Sequence, residues 1–365
     1  MLNLFCAPAR YVQGRDATAS LGEHVQHLGL AGPVLVITGA SVRGQLEATW
    51  TATFEAVGLT HAVRTFGGEC SQREIDAGVA EAKAMGAKVV VGAGGGKCLD
   101  TARAVAADLE LPVVNCPTLA SSDAPCSALS VVYTDDGVVD RYLFYRRNPD
   151  LVLVDSSIVA AAPARYLVSG MGDALATWFE ARTVIEARSP NQLGGGTTLT
   201  AGALARLCFE TLLADGVAAR TAVEAGAVTP ALDRIIEANT LLSGLGFESG
   251  GLAIAHSVHN GLTAVDGTHD FLHGEKVAFG LLVQLVVEGR PETEIDEVVT
   301  FSRSVGLPVT LAEVGLPNPS DEVVEAIATR SVAEGETAHH EPLPVTADLI
   351  ADGIRAADAH GRRGT

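Results

Sequence analysis

With 365 residues the chain is long enough for two domains that each bury a core, and 47% apolar residues make it a globular protein. A net charge of −19 and the lack of any basic run argue against nucleic acid or an anionic membrane as partner, which leaves a small molecule as the expected substrate. The N-terminus has no basic segment leading into an apolar one, and no apolar run is long enough to span a bilayer. Cys6, Cys70, Cys98, Cys116, Cys126 and Cys208 show no C-x-x-C spacing, so a soluble chain in the reducing cytoplasm is expected.

In chain order, residues 33–38, 87–92 and 111–115 are predicted strands, short and rich in Val, each followed by Gly, Ser or Pro and then a helical pattern. That alternation predicts a parallel sheet covered by helices. From Ser127 two alternating runs meet at Asp136-Gly137, a hairpin signal because the turn needs positive φ. Residues 149–155 supply one more strand. After Pro163 the strand signals fade, and Ala/Leu/Glu-rich segments at helical spacing run almost to the C-terminus. The expected organisation is an α/β domain over 1–160, with a Rossmann-like parallel sheet, and an all-α domain over 161–365.

Two features carry chemistry. The segment Val89-Val-Val-Gly-Ala-Gly-Gly-Gly-Lys97 reads as a strand and a glycine turn leading into a helix, where the backbone can approach a phosphate and free N–H groups point at it. Lys97 would add a positive charge. Val91 stands where a P-loop needs Gly and Cys98 where it needs Ser or Thr, so this is no P-loop; a tight turn that only packs helix on strand is the other reading. The segment Pro117–Ser127 follows the next strand and brings hydroxyls and the Asp123 carboxylate to the same sheet edge, where ligands bind in open α/β sheets. In the second half His256 lies within a predicted buried helix and His273 opens another. Alone, the pair reads either as metal ligands or as two hydrogen-bonded core histidines.

The blocks Gly67-Gly-Glu-Cys-Ser-Gln72, Gly94-Gly-Gly-Lys97, Ser122-Asp-Ala-Pro-Cys-Ser-Ala-Leu-Ser130, Gly172-Asp-Ala-Leu-Ala-Thr-Trp-Phe-Glu-Ala181, Gly246-Phe-Glu-Ser-Gly-Gly251, His259-Asn-Gly-Leu-Thr263 and His273-Gly-Glu-Lys-Val-Ala-Phe-Gly280 occur in this order. Together they resemble the glycerol dehydrogenases, a branch of the iron-containing alcohol dehydrogenase superfamily. The resemblance spans nearly the whole chain. It implies the dehydroquinate synthase-like fold of that superfamily, with the dinucleotide in the first domain and metal and substrate in the second. The implied reaction is reversible, NAD-dependent oxidation of glycerol to dihydroxyacetone, with 1,2-propanediol and related vicinal diols as further substrates. A homo-oligomer, in the family an octamer, is implied too.

By the same resemblance a catalytic Zn2+ is held by Asp173, His256 and His273, three ligands that leave one tetrahedral position for substrate oxygen. Iron-dependent relatives carry a third histidine four residues after the Asp; Thr177 stands there, which favours Zn2+ over Fe2+. Asp123 matches the glycerol-contacting carboxylate. Gly94, Gly95, Gly96 and Lys97 fall at the cofactor pyrophosphate, Thr118 and Ser121 near the phosphates, and Ser127, Leu129 and Tyr133 at the nicotinamide half. NAD-specific relatives place an Asp after the first strand, but this chain has Gly39, with Arg43 downstream. NAD is therefore the expected cofactor, with weakened rejection of NADP.

The alternatives are another metal-dependent polyol or alcohol dehydrogenase of the same fold, a dehydroquinate synthase or a glycerol-1-phosphate dehydrogenase. The last two handle phosphorylated substrates, and no extra Lys/Arg cluster accompanies the motifs. A non-catalytic nucleotide sensor would not need Asp173, His256 and His273 together. His259 is expected to orient the site, His269 is a proton-acceptor candidate or an exposed loop residue, and His339-His340, followed by Glu341, reads as a solvated surface pair.

Overall fold

The computed structural model describes residues 1–135, 137 and 139–363. Strands and helices alternate first: β1 (Tyr11–Gly14), α1 (Leu21–His27), β2 (Val34–Thr38), α2 (Ala40–Ala56), β3 (His61–Thr65), α3 (Gln72–Met85), β4 (Val89–Gly94), α4 (Gly96–Asp108) and β5 (Val113–Pro117). A hairpin of β6 (Leu129–Tyr133) and β7 (Val139–Phe144) precedes β8 (Leu151–Asp155). The predicted strands start one or two residues later than the sequence suggested. In the hairpin turn Gly137 has φ 83°, and Asp136 lies outside the described residues.

Six strands form one parallel sheet in the order β1, β8, β5, β4, β2, β3. β2, β4, β5 and β8 are buried along their whole length, as strands covered on both faces must be. Alternation sorts their side chains: Val34 and Val36 share a core with Trp50 and Phe54, while Leu35 and Ile37 pack with Ile75 and Val105 on the other face. β2 leads outward to edge strand β3, and the chain then returns to the other side of β2 as β4. This reversal opens a crevice at the carboxyl ends of β2 and β4. Gly39 and the Gly94–Gly96 turn flank it, and the Thr38 hydroxyl donates across it to the Ala93 carbonyl at 2.7 Å.

From Ser156 onward the described elements are helical: α5 (Ser156–Ala160), α6 (Ala164–Ala187), α7 (Leu199–Glu224), α8 (Pro230–Glu237), α9 (Ser243–Gly250), α10 (Ile254–Thr263), α11 (His273–Val287), α12 (Glu292–Val305), α13 (Asp321–Ser331) and α14 (Ala347–Gly361). Their core runs through Phe179, Phe209, Phe279 and Ile354 and takes in Val152 and Val154 of β8. A π-helical turn, Ala238–Leu242, joins α8 to α9; such turns redirect backbone and side chains. Among the described residues no helix is long and apolar enough to cross a membrane.

Candidate active site

Asp173 sits in the middle of α6, His256 in the first turn of α10 and His273 at the start of α11. α6 and α11 meet at glycine: a Cβ on Gly274 would lie 2.7 Å from the Ser169 carbonyl carbon and 2.9 Å from the Asp173 amide nitrogen. Only two bare backbones allow this approach, and it carries Asp173 up to His273. His273 Nε2 lies 3.1 Å and His256 Nε2 3.4 Å from Asp173 Oδ1. The ligand-capable atoms of the three residues lie within 4.8 Å of one another, the only such group of His, Cys, Asp or Glu among the described residues.

The donor set fits a divalent cation. Asp173 is fully buried, and the His256 and His273 imidazoles face it. Burial by itself would raise its pKa, but the charges and hydrogen bonds of His273 and His256 hold it well below the usual carboxylate range. Two nitrogens and one oxygen suit a borderline metal and leave a position open. His273 exposes 40% of its side chain, so the cluster opens toward solvent on that side.

The nitrogens facing away are also held. His256 Nδ1 lies 2.6 Å from Glu180 Oε2, and Glu180 Oε1 accepts from the Ala253 and His256 N–H groups. Burial would push the His256 pKa down, but the Glu180 charge and the Asp173 and Glu180 hydrogen bonds raise it well above normal. His273 Nδ1 lies 2.9 Å from His259 Nε2. Burial, reinforced by His273 and Lys276, keeps His259 far below its ordinary pKa and therefore neutral. Sequence reading gave His259 an orienting place but missed Glu180, whose signal is its spacing of seven from Asp173, two turns along one helix face.

The loop after β5 joins this cluster to the sheet edge, and nearly every residue in it is pinned. The Thr118 N–H donates to the Gly94 carbonyl. Asn239, in the π-helical turn, donates to the Ala120 carbonyl, Ser169 to that of Ser121, and the Asp123 N–H to Asp173 Oδ2 at 3.1 Å. Buried Arg103 donates to the carbonyls of Ala124 and Ser127, Asn148 to that of Cys126, and the Ala128 N–H donates to Glu248 at 2.7 Å. Asp123 is thereby set beside Asp173. Its carboxylate accepts from Ser243 at 3.0 Å, and Ser243 shares a hydrogen bond with Thr177. Burial and then the Asp173 charge raise the Asp123 pKa well above normal. Sequence reading did not name Ser243.

The glycine turn divides its work by residue. A Cβ on Gly92 or Gly94 would run into Ala102 or Cys98, so these two serve helix–strand packing, whereas Gly96 has nothing within 4 Å and leaves the approach open. Gly95 caps α4 in extended backbone without a side-chain bond, so the N–H groups of Gly96 and Lys97 precede the first intrahelical bond. That cradle fits a phosphate group. Lys97 is not bare: its ammonium lies 2.6 Å from Glu69 and 4.6 Å from the Tyr133 ring centre. Ser127 is buried and donates to the Ala124 carbonyl, while Leu129 and Ser121 are half-buried. A Cβ on Gly39 would meet no atom within 4 Å, and Arg43 is bound to Glu47 and Thr65.

Other singled-out residues lie elsewhere. His269 is exposed and its Nε2 faces the Thr263 carbonyl at 3.3 Å. The 339–341 group is not uniformly solvated: His340 is half-buried with Nδ1 2.9 Å from the Leu252 carbonyl, and Glu341 is buried with neither oxygen hydrogen-bonded. Burial, with the charges of Glu288 and Glu180, pushes the Glu341 pKa up to about 8. Only tertiary packing reveals this.

A parallel sheet with a phosphate cradle, joined by one pinned loop to a buried Asp-His-His cluster, is the arrangement of a metal-dependent alcohol dehydrogenase. The family description "Iron-containing alcohol dehydrogenase" matches residues 8–156. Glycerol dehydrogenase of Thermotoga maritima is 52% identical over 364 residues, covering 99% of this chain and 98% of that protein. Glycolaldehyde reductase of Halobacterium salinarum is 47% identical, covering 100% and 99%. The crystal structure of a probable glycerol dehydrogenase from Sinorhizobium meliloti superposes with a TM-score of 0.93 at 42% identity over 100% of both chains. The chain belongs to the iron-containing alcohol dehydrogenase family, in the glycerol dehydrogenase branch, and is an oxidoreductase.

Proposed function

We propose that the chain oxidises glycerol to dihydroxyacetone with NAD, reversibly, and accepts 1,2-propanediol and related vicinal diols. The observation that carries this is the convergence of His256 Nε2 and His273 Nε2 on Asp173 Oδ1, with Asp123 alongside. Asp173, His256 and His273 would hold a divalent cation, which would supply acidification of an alcohol hydroxyl, and the glycine turn would hold a nicotinamide cofactor, which would supply the hydride acceptor. Glu180 and His259 fix the two imidazoles so that Nε2 faces the cation. Asp123 offers carboxylate oxygen to a neighbouring hydroxyl of the substrate, which favours vicinal diols over simple alcohols, and Ser243 holds that carboxylate in place. The same polar contact suits an α-hydroxy carbonyl in the reverse direction.

Zn2+ is the proposed metal. Thr177 stands where iron-dependent relatives have a third histidine, and a Cβ on Gly246 would lie 2.5 Å from its methyl, so the position is closely packed around a small side chain. Gly94, Gly95, Gly96 and Lys97 are the proposed pyrophosphate contacts, with Thr118, Ser121, Ser127, Leu129 and Tyr133 along the rest of the cofactor. Gly39 presents no carboxylate to the ribose, which supports NAD as principal cofactor with weakened rejection of NADP. A division at residue 160 fits the end of the last strand at Asp155. Exposed Leu199, Leu207 and Val217 on α7 support a homo-oligomer.

The test is NADH formation with glycerol, before and after chelation and after return of Zn2+ or Fe2+, against 1,2-propanediol, ethanol and NADP. Activity that survives complete metal removal would overturn the reading.

A further inference from the structure

The two imidazoles of the cluster are supported unequally. Both turn Nε2 toward Asp173 Oδ1, so each must carry its proton on Nδ1 if Nε2 is to ligate. At His256 a buried carboxylate meets that proton directly. At His273 the group in this position is His259, an imidazole whose facing nitrogen can either donate or accept.

The next contacts remove that freedom. His259 Nδ1 lies 3.1 Å from Asn260 Oδ1, and Asn260 Nδ2 lies 3.0 and 3.3 Å from the two oxygens of Glu336. Glu336 can only accept when ionised, and Arg330 pairs with it. The amide of Asn260 must therefore turn its NH2 to Glu336 and its carbonyl to His259. His259 must then carry its proton on Nδ1 and accept at Nε2, which leaves His273 donating from Nδ1 with a bare Nε2.

We propose that Glu336, acting through Asn260 and His259, selects the Nδ1–H tautomer of His273 and so makes Nε2 its ligand nitrogen. Glu336 and Asn260 are positioning residues for the metal site, three and two links from the ligand. The chain runs one way, each group donating to the next, from α11 through α10 to the segment after α13. This rests on the metal-site reading above.

The experiment measures Zn2+ and Co2+ dissociation constants by chelator competition on the full chain, stripped and reloaded. It also records ring 15N shifts of labelled histidine in the metal-free protein. Asn260→Ala breaks the chain and is expected to weaken binding about 10-fold, within the range for outer partners of metal ligands, and to move His273 toward the Nε2–H form. Glu336→Gln keeps an acceptor but removes the charge, and is expected to weaken binding by less. Because Gln keeps the size and shape of the Glu336 side chain, this variant decides the matter if Asn260→Ala does not fold. Asn260→Asp replaces the relay with a group that only accepts from His259, and is expected to keep His273 in the Nδ1–H form where Asn260→Ala does not. Unchanged constants and an unchanged His273 tautomer in Asn260→Ala, or in Glu336→Gln if that variant alone folds, overturn the proposal while leaving the site intact. Failure of the unmutated chain to bind either ion overturns the site reading itself.

Discussion

Gly274→Ala is the sharpest perturbation of the site that leaves every ligand in place. Its methyl would lie 2.7 Å from the Ser169 carbonyl carbon and 2.9 Å from the Asp173 nitrogen, where ordinary contact begins at 3.4 Å. The Ser169 carbonyl oxygen is nearer still and all three obstacles are helix backbone, so α6 and α11 must part by more than about 1 Å beside Asp173 and His273. Metal–ligand distances tolerate only about 0.2 Å. A displacement of this size is expected to weaken Zn2+ binding about 100-fold, or about 2.7 kcal/mol. Overpacking should also cost about 1–3 kcal/mol of stability without metal. At a free Zn2+ concentration of about 100 Kd, the unmutated chain gains about 2.7 kcal/mol from the ion, and the variant keeps only about 0.4. Chelator competition gives the affinity, and thermal unfolding with and without Zn2+ gives the linked stability. Gly353→Ala is the control, because its methyl would meet the Val287 side chain, 2.5 Å away, far along α11 from His273. It should lower stability and leave Zn2+ affinity unchanged. If Gly274→Ala binds Zn2+ as tightly as the unmutated chain, the helix crossing does not set the ligand geometry.

Three further outcomes are expected. Asp123→Ala should lower kcat/KM for glycerol relative to ethanol about 3- to 10-fold, the worth of one hydrogen bond, while Zn2+ content is unchanged; equal relative rates would remove Asp123 from substrate recognition. Gly39→Asp should raise the preference for NAD over NADP about 10-fold, by steady-state kinetics with both cofactors, and an unchanged ratio would show that the ribose is read elsewhere. Glu341 holds its proton up to about pH 8 when folded, whereas an ordinary Glu releases it near 4.5. The folded state thus binds more protons between these values, and stability falls as pH rises through that window. Glu341→Gln should flatten the fall of Tm between pH 5 and 8, and a variant with the same slope would place the effect on another group.

The strands with dense Val and Ile were legible because burial on both faces demands such runs. β1 and β3 were not: they are edge strands, half-buried, and Tyr11-Val-Gln-Gly14 pairs with β8, some 140 positions on. No local pattern encodes that partner. The glycine turn and the placing of His256 and His273 on helices could be read directly, and the order of the motif blocks carried Asp173 into the same site. Glu180 and Ser243 stood inside or beside those blocks without a role, since a second hydrogen bond to a ligand is fixed by helix packing. Lys97 shows the converse: its position was read, but its pairing with Glu69 depends on a loop that returns from β3.

The loop from Thr118 to Ala128 has a consequence for how this protein can change. Some of its carbonyls and N–H groups are bonded to the sheet side, through Gly94, Arg103 and Asn148, and others to the helical side, through Asn239, Ser169, Asp173 and Glu248. It works as a ruler of fixed length between the Gly94–Gly96 turn and the Asp173, His256 and His273 cluster. Insertion of a single residue ahead of Asp123 would slip every later bond by one place and carry Asp123 out of register. Length variation among related chains should therefore avoid the ruler.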